Sequence, residues 1–254
     1  MAETSLVPAV DELPDISSIV TEDDTPVDNL FSAKQQRLLV EPLYTSWKPG
    51  RSFIADANVG VFALHETPVV PDMFLSLDVQ SGDDWWAKEN RSYFVWKHGK
   101  PPEIAVEVVS NTVGEETGTK FWKYARIGVL YYVIFDPQGL LQGKPLAIYE
   151  LHSGRYVPLQ NLQLTKAGLG MMLWEGMYEG KYAQWLRWCD FKGHVIPTGL
   201  EAFVLERRFA EQESQRADQE HRRAEQERQR AEQERQYAKR LAEKLMALGI
   251  SVEE

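Results

Sequence analysis

One carboxylate, Glu107, lies where the surrounding sequence favours apolar side chains. The segment 101–110 alternates Ile104, Val106 and Val108 with Ala105, Glu107 and Val109, so both faces of this predicted strand are mostly apolar. An ionised carboxylate in such a strand needs a charged partner or a metal ion, because burying it alone is costly or shifts its pKa. Glu107 is therefore the first candidate for chemistry.

Asp72 supplies a second carboxylate at the start of another predicted strand. Pro71 precedes it and cannot donate a hydrogen bond within a sheet, which marks the beginning or the edge of a strand. Taken alone, a Pro-Asp pair is typical of a turn. Together with Glu107 it has a second meaning, since two acids on adjacent strands could share a hard divalent cation through their oxygen atoms.

Lys120 is the third candidate, because it falls in the first turn of a helix predicted over 117–127. The helix dipole disfavours a cation there by about 0.3–1 kcal/mol. A locally unfavourable charge is typical of a functional residue. An ion pair with Glu116, one turn earlier, would explain the same lysine without any function, and the sequence leaves both interpretations open.

The elements that must position these residues follow from hydrophobic patterns. An amphipathic helix is predicted from about residue 28 to Trp47, and Gly128 is placed to end the second helix. The order strand, helix, strand from 101 to 135 predicts a crossover with parallel strands. Further strands are predicted over 59–65, 69–79, 91–96, 171–174 and 183–189, with a hairpin over 146–159 and a loop over 81–86. The eight tryptophans are interpreted mainly as core residues.

The end of the chain carries a seven-residue repeat. Its alanines are Ala210, Ala217, Ala224, Ala231 and Ala238. The pattern predicts a long helix, but three residues after the first four alanines stand glutamates, where a coiled coil would need leucine. Only Leu241, Leu245 and Leu248 form an apolar seam. A weak or alanine-seamed coiled coil and a solvated single helix therefore both remain possible.

Charge divides the chain into three parts. Residues 1–30 carry eight acidic and no basic residues, 201–254 carry a net charge of −2, and the middle is neutral. We expect a flexible acidic leader over 1–27, a folded domain over 28–199 and a helical tail over 200–254. The neutral middle lacks the basic surface expected of a tight nucleic-acid binder, although a local patch could still contact phosphates.

Cysteine usage and hydropathy restrict where the protein works. The single Cys189 excludes an internal disulfide framework and a cysteine zinc cluster, and it fits the reducing cytoplasm. Apolar runs stay shorter than a membrane span, and the acidic start does not have the order of a signal peptide. These features predict a cytoplasmic protein that makes no membrane contact.

Several motifs, taken in order, resemble the Uma-two family, which is named for restriction endonucleases and assigned to the PD-(D/E)XK nuclease superfamily. The motifs are Pro71-Asp72, Glu107-Val108-Val109-Ser110, Lys120, Tyr124-Ala125-Arg126-Ile127-Gly128-Val129, Tyr132 and Phe135-Asp136-Pro137. The resemblance covers about residues 29–198. It implies an α/β fold of the restriction-endonuclease type, a mixed sheet flanked by helices. The hydrophobic pattern and the seven-residue repeat add extra C-terminal strands and a long C-terminal helix to this fold.

The resemblance also implies roles for the three charged residues. Asp72 and Glu107 would bind Mg²⁺ or Mn²⁺, and Lys120 would be the catalytic lysine. The superfamily usually carries that lysine two residues after the second acid, where this chain has Val109, so the lysine would come from the following helix instead. Some relatives use a glutamate of the first helix. Glu41 is the nearest candidate here, although Pro42 follows it and helices usually break before a proline.

Two functions remain open on this basis. The first is metal-dependent hydrolysis of phosphodiester bonds, as in a DNA endonuclease that self-associates with the help of its C-terminal helix. The second is a catalytically silent nuclease-like scaffold that binds protein partners through that helix. The neutral middle and the acidic leader favour the second function, and the presence of all three charged residues favours the first.

Overall fold

A computed structural model of the protein describes residues 29–110 and 118–247. The predicted leader over 1–27, the start of the second helix at residue 117, Glu116 and Leu248 lie outside these residues. In chain order the elements are α1 (Leu30–Thr45), β1 (Phe53–Asp56), β2 (Val61–Phe62), β3 (Met73–Leu77), β4 (Tyr93–Phe94), α2 (Val95–His98), β5 (Ile104–Val108), α3 (Thr119–Ile127), β6 (Tyr131–Phe135), β7 (Leu146–His152), β8 (Arg155–Pro158), β9 (Gln163–Leu164), β10 (Leu169–Tyr178), β11 (Lys181–Cys189) and α4 (Gly199–Ala247).

Six strands form the central sheet, in the order β1-β3-β5-β6-β7-β8. β5 and β6 run parallel, and the other neighbouring pairs run antiparallel. Every residue of β3, β5 and β6 is buried, because layers cover both faces of the sheet. The predicted mixed α/β fold is confirmed, and so is the parallel crossover through α3.

The two faces of the sheet have different covers. On one face, Leu39 and Leu43 of α1 pack with Val106 and with Trp188 of the β9-β10-β11 sheet. On the other face, α3 contributes an aromatic cluster that includes Tyr124 and the sheet residue Tyr132. Because side chains alternate along a strand, Glu107 points to the α3 face while its neighbours Val106 and Val108 point to the α1 face.

Helix α1 begins at a capped end and continues through a proline. The Oδ1 atom of Asn29 accepts hydrogen bonds from the backbone N–H groups of Phe31 and Ser32, each at 2.9 Å. The helix predicted from about residue 28 to Trp47 is confirmed as α1, which continues past Pro42 to Thr45. Pro42 lies in the last turn, where it removes one hydrogen bond, and the burial of Pro42 and Leu43 offsets that loss.

Several predicted strands differ in length from the observed ones. The hairpin over 146–159 is confirmed as β7 and β8, while the two last predicted strands extend into the longer hairpin of β10 and β11. Within the strand predicted over 59–65, only the two residues of β2 form a strand. The strand predicted over 91–96 is observed as the short strand β4 followed by the helix α2. β1 and β9 were not predicted, because each is too short to show a period.

The chain divides into two compact units, residues 1–199 and 200–254. The second unit contains α4, a helix of 49 residues in which none is buried. Among the described helices, none combines the length and the apolar character that a bilayer crossing needs.

Gln35 of α1 provides a test of how this helix is held. Its buried amide donates to the backbone carbonyl of Leu186 at 2.8 Å and accepts from the backbone N–H of Leu186 at 3.0 Å. Gln35→Ala leaves both groups unpaired in the core, so we expect a loss of about 2 kcal/mol or more in the free energy of unfolding. Urea denaturation measures it.

Leu30→Ala is the matched control, since Leu30 lies on the same helix but is exposed. This substitution should change the free energy of unfolding by less than about 0.5 kcal/mol. Equal effects of the two substitutions would show that the Gln35 amide does not hold α1 against β11.

Candidate active site

The candidate site lies at one end of the central sheet, where β5 ends and β3 begins. Glu107 is the fourth residue of β5 and only 2% exposed. Asp72 directly precedes β3, and the first residue of that strand, Met73, pairs with Val106. Because β3 and β5 run antiparallel, this register brings the chain position of Asp72 next to that of Glu107.

The Asp72 carboxylate is held by hydrogen bonds from the backbone and from α1. Its Oδ2 atom accepts from the backbone N–H of Val108 at 2.6 Å, and its Oδ1 atom accepts from the side-chain amide of Gln36 at 3.1 Å. The Val108 N–H belongs to the peptide group that directly follows Glu107. The structure thus places the two predicted acids within one peptide unit of each other.

Both carboxylate oxygens of Glu107 have a donor from α3. The Lys120 ammonium donates to Oε2 at 2.8 Å, and the Tyr124 hydroxyl donates to Oε1 at 2.6 Å. Lys120 and Tyr124 are one helical turn apart, so they project to the same side of α3. In the described residues, Lys120 therefore pairs with Glu107; the alternative partner, Glu116, lies outside them.

The electrostatics of Glu107 reflect its burial. Desolvation raises its pKa from 4.5 to about 7, and the charge on Asp72 adds to this rise. The charge and hydrogen bond of Lys120 and the hydrogen bond of Tyr124 act in the opposite direction. Burial also raises the pKa of Tyr124 well above its usual value, which keeps its hydroxyl protonated and available as a donor.

Glu41, the α1 glutamate that the resemblance suggested, has a backbone partner, and its role at the site stays a prediction. Its Oε1 atom accepts from the backbone N–H of Gly199 at 2.8 Å. The residue of α1 that reaches Asp72 is Gln36, which also exchanges two amide hydrogen bonds with Asn58, at 3.1 and 3.2 Å.

Sequence reasoning missed Gln36 and the role of Tyr124. A signal for Gln36 existed, because it lies three and seven residues before Leu39 and Leu43, on the apolar stripe of the helix. For Tyr124, the signal was its position one turn after Lys120. Val109, at the usual lysine position of the superfamily, is buried.

The oxygen atoms at this site fit a hard cation. Among residues 29–110 and 118–247, no group of three or more His, Cys, Asp and Glu side chains could hold a metal ion. Mg²⁺ commonly binds through one or two carboxylates and keeps water or phosphate oxygens for its other positions. Asp72 and Glu107 could supply those two carboxylates, and their role as ligands stays a prediction.

The family becomes clear from comparison with known proteins. The model of the Uma2 family, described as "Putative restriction endonuclease", matches residues 23–174. This span is more than half of the chain and contains Asp72, Glu107 and Lys120. The chain belongs to the Uma2 family.

A solved structure from Anabaena variabilis, described as a "putative nuclease belonging to DUF820", is also similar. The two sequences are 16% identical, and the match covers 54% of this chain and 71% of that chain with a TM-score of 0.39. A comparison with curated proteins finds no match.

The raised pKa of Glu107 predicts how the metal-free protein responds to pH. A carboxyl group whose pKa is higher in the folded chain stabilises the fold below its unfolded pKa, and this stabilisation is lost as the pH rises through the folded pKa. For Glu107 the window runs from 4.5 to about 7. We expect its contribution to fall by about 3 kcal/mol across that window.

Urea denaturation at a series of pH values, in the presence of EDTA, measures this effect. Glu107→Gln removes the titrating group and should flatten the decline between pH 4.5 and 7. Identical slopes for the native chain and for Glu107→Gln would contradict the raised pKa.

Proposed function

We propose that this protein is a metal-dependent phosphodiesterase that acts on DNA as an endonuclease, with Mg²⁺ or Mn²⁺ as its cofactor. The observation that carries the proposal is the meeting of three residues distant in the chain. Lys120 contacts Glu107, and Asp72 binds the peptide group next to Glu107. Membership of the Uma2 family supports the reaction class, because the family description names a restriction endonuclease.

Asp72 and Glu107 would hold the cation from adjacent strands. A bound cation of this kind polarises the phosphate and lowers the pKa of a coordinated water molecule. Gln36 and the Val108 N–H fix the Asp72 carboxylate, and Tyr124 fixes that of Glu107. This support limits the movement of the two carboxylates, which a catalytic site requires.

Lys120 would stabilise the charge that grows on the phosphate oxygens as water attacks phosphorus. Its side chain is 36% exposed, so the ammonium group contacts Glu107 and also borders solvent. A phosphate that approaches from that side would meet a positive charge already in position, which lowers the transition-state energy. The reaction breaks one phosphorus–oxygen bond and yields a phosphate monoester and a hydroxyl end.

A plasmid-nicking assay tests the proposal. With Mg²⁺ present, Asp72→Asn and Lys120→Met should each slow the conversion of supercoiled to nicked DNA by about 100-fold or more, because each removes a group that acts in the transition state. Addition of EDTA should abolish the conversion.

Lys123→Met is the matched control, since it removes the same charge from the same helix but not from the Glu107 cluster. It should leave the rate within a few-fold of the native one. If native protein, variants and EDTA samples all show the same background, the hydrolytic function is rejected.

A second function rests on α4. This helix carries the alanine repeat, and none of its 49 residues is buried within the chain. Such a helix could serve as an interaction surface, so the alternative is a catalytically silent scaffold that binds protein partners. The same helix could instead join copies of an active nuclease, because its seven-residue period suits association with a second helix.

Deletion of residues 201–254 tests whether α4 assembles the protein. We expect light scattering to show an oligomer for the native chain and fewer chains per particle for the truncated one. Leu241→Lys, which places a charge on the apolar seam, should weaken the oligomer, while Gln229→Lys at a polar position should not. An unchanged number of chains per particle after deletion would exclude α4 as the assembly element.

A further inference from the structure

The segment 81–92 holds two adjacent tryptophans outside the core. Trp85 is 64% exposed and Trp86 is 83% exposed. The interpretation of the tryptophans as core residues is correct for Trp185 and Trp188, which are buried, but it is wrong for this pair. Large exposed apolar side chains that stand together commonly mark a binding surface.

Polar side chains of the segment brace the backbone at Trp86 and Ala87. The Asp84 carboxylate accepts from the backbone N–H of Trp86 at 2.9 Å and from that of Ala87 at 3.3 Å. The Arg91 guanidinium donates twice to the carbonyl of Trp86, at 2.8 and 3.1 Å. A loop fixed in this way loses little conformational freedom when a ligand binds, which favours affinity.

A cavity of about 170 Å³ lies beside Trp85. Its walls include Asp56 and Phe74 of the central sheet, Tyr93 of β4 and Arg91 of the braced segment. The space is smaller than the roughly 300–1,000 Å³ of drug-sized pockets, so it suits a single flat ring. The Asp56 carboxylate provides acceptor oxygens for N–H groups at the edge of such a ring.

The cavity and the candidate active site share one face of the sheet. Asp56 pairs with Phe74, and Phe74 pairs with Ala105, which lies two residues before Glu107. Two strand spacings and two residues separate Asp56 from Glu107, a distance of about 12 Å between backbones. A nucleic-acid strand with a phosphate at Glu107 would therefore bring a neighbouring nucleotide to the cavity.

We infer that Trp85 and Trp86, with the adjacent cavity, form a stacking site for an unpaired DNA base next to the cleaved phosphate. The inference rests on the proposed function and specifies its substrate as single-stranded or locally opened DNA. Stacking on an indole needs an uncovered base face, which a duplex does not offer.

Binding of a fluorescent oligodeoxythymidylate to the full chain tests the inference by anisotropy, at low salt with EDTA to prevent cleavage. Trp85→Ala should weaken binding about 5- to 150-fold, the range of stacking energies per base. Trp86→Ala should also weaken it, and Trp85→Phe should retain most of the affinity because it keeps an aromatic face. A duplex of the same length should bind more weakly than the single strand.

Trp122→Ala is the matched control, since Trp122 is 57% exposed on α3 and does not line the cavity. It should bind as the native chain does. Native affinity in Trp85→Ala and Trp86→Ala, an equal loss in Trp122→Ala, or no single-strand binding by the native chain would each overturn the inference. A lower solution mass for Trp85→Ala would also overturn it, by showing that the tryptophans join two chains.

The plasmid assay separates this inference from the proposed function. Nicking by the native chain, together with unchanged oligonucleotide binding in Trp85→Ala, would reject the stacking site alone. Trp85-dependent binding without any Mg²⁺-dependent cleavage would reject hydrolysis and retain a site for unpaired DNA.

Discussion

The candidate site depends on one buried charge, the carboxylate of Glu107. An acid at the centre of an apolar sheet is stable only if its oxygens find donors, and here Lys120 and Tyr124 provide one donor each. This requirement sets the position and orientation of α3 over β5. It also explains the raised pKa of Glu107, because the two donors offset only part of the desolvation cost.

The neighbouring acid is held by different means. Asp72 accepts from a backbone N–H and from Gln36, and neither of these donors carries a full charge. Glu107 is thus paired with an ammonium group, and the partners of Asp72 include a backbone dipole and a side-chain amide. The two acids are therefore positioned by donors from different elements, Glu107 by α3 and Asp72 by β5 and α1.

Part of this arrangement could be predicted from the sequence, because two of its charged residues lie where the local sequence pattern disfavours a charge. A glutamate among alternating apolar residues indicated a buried site, and a lysine in the first turn of a helix indicated either a functional residue or a local ion pair with Glu116. Other features depend on contacts that the sequence does not show. The place of Gln36 on the apolar stripe of α1 indicates burial but does not show that Asp72 is its partner, and β1 is too short to reveal a period.

The adjacent residues Gln35 and Gln36 connect two distant parts of the domain through a single turn of α1. Gln35 binds the backbone of β11, and Gln36 binds the candidate metal ligand Asp72. The family match, however, ends at residue 174, within β10 and before β11 begins. A shortened version of this protein that stopped at the family boundary would lack the strand that Gln35 of α1 binds, so an engineered minimal domain has to retain the whole terminal hairpin.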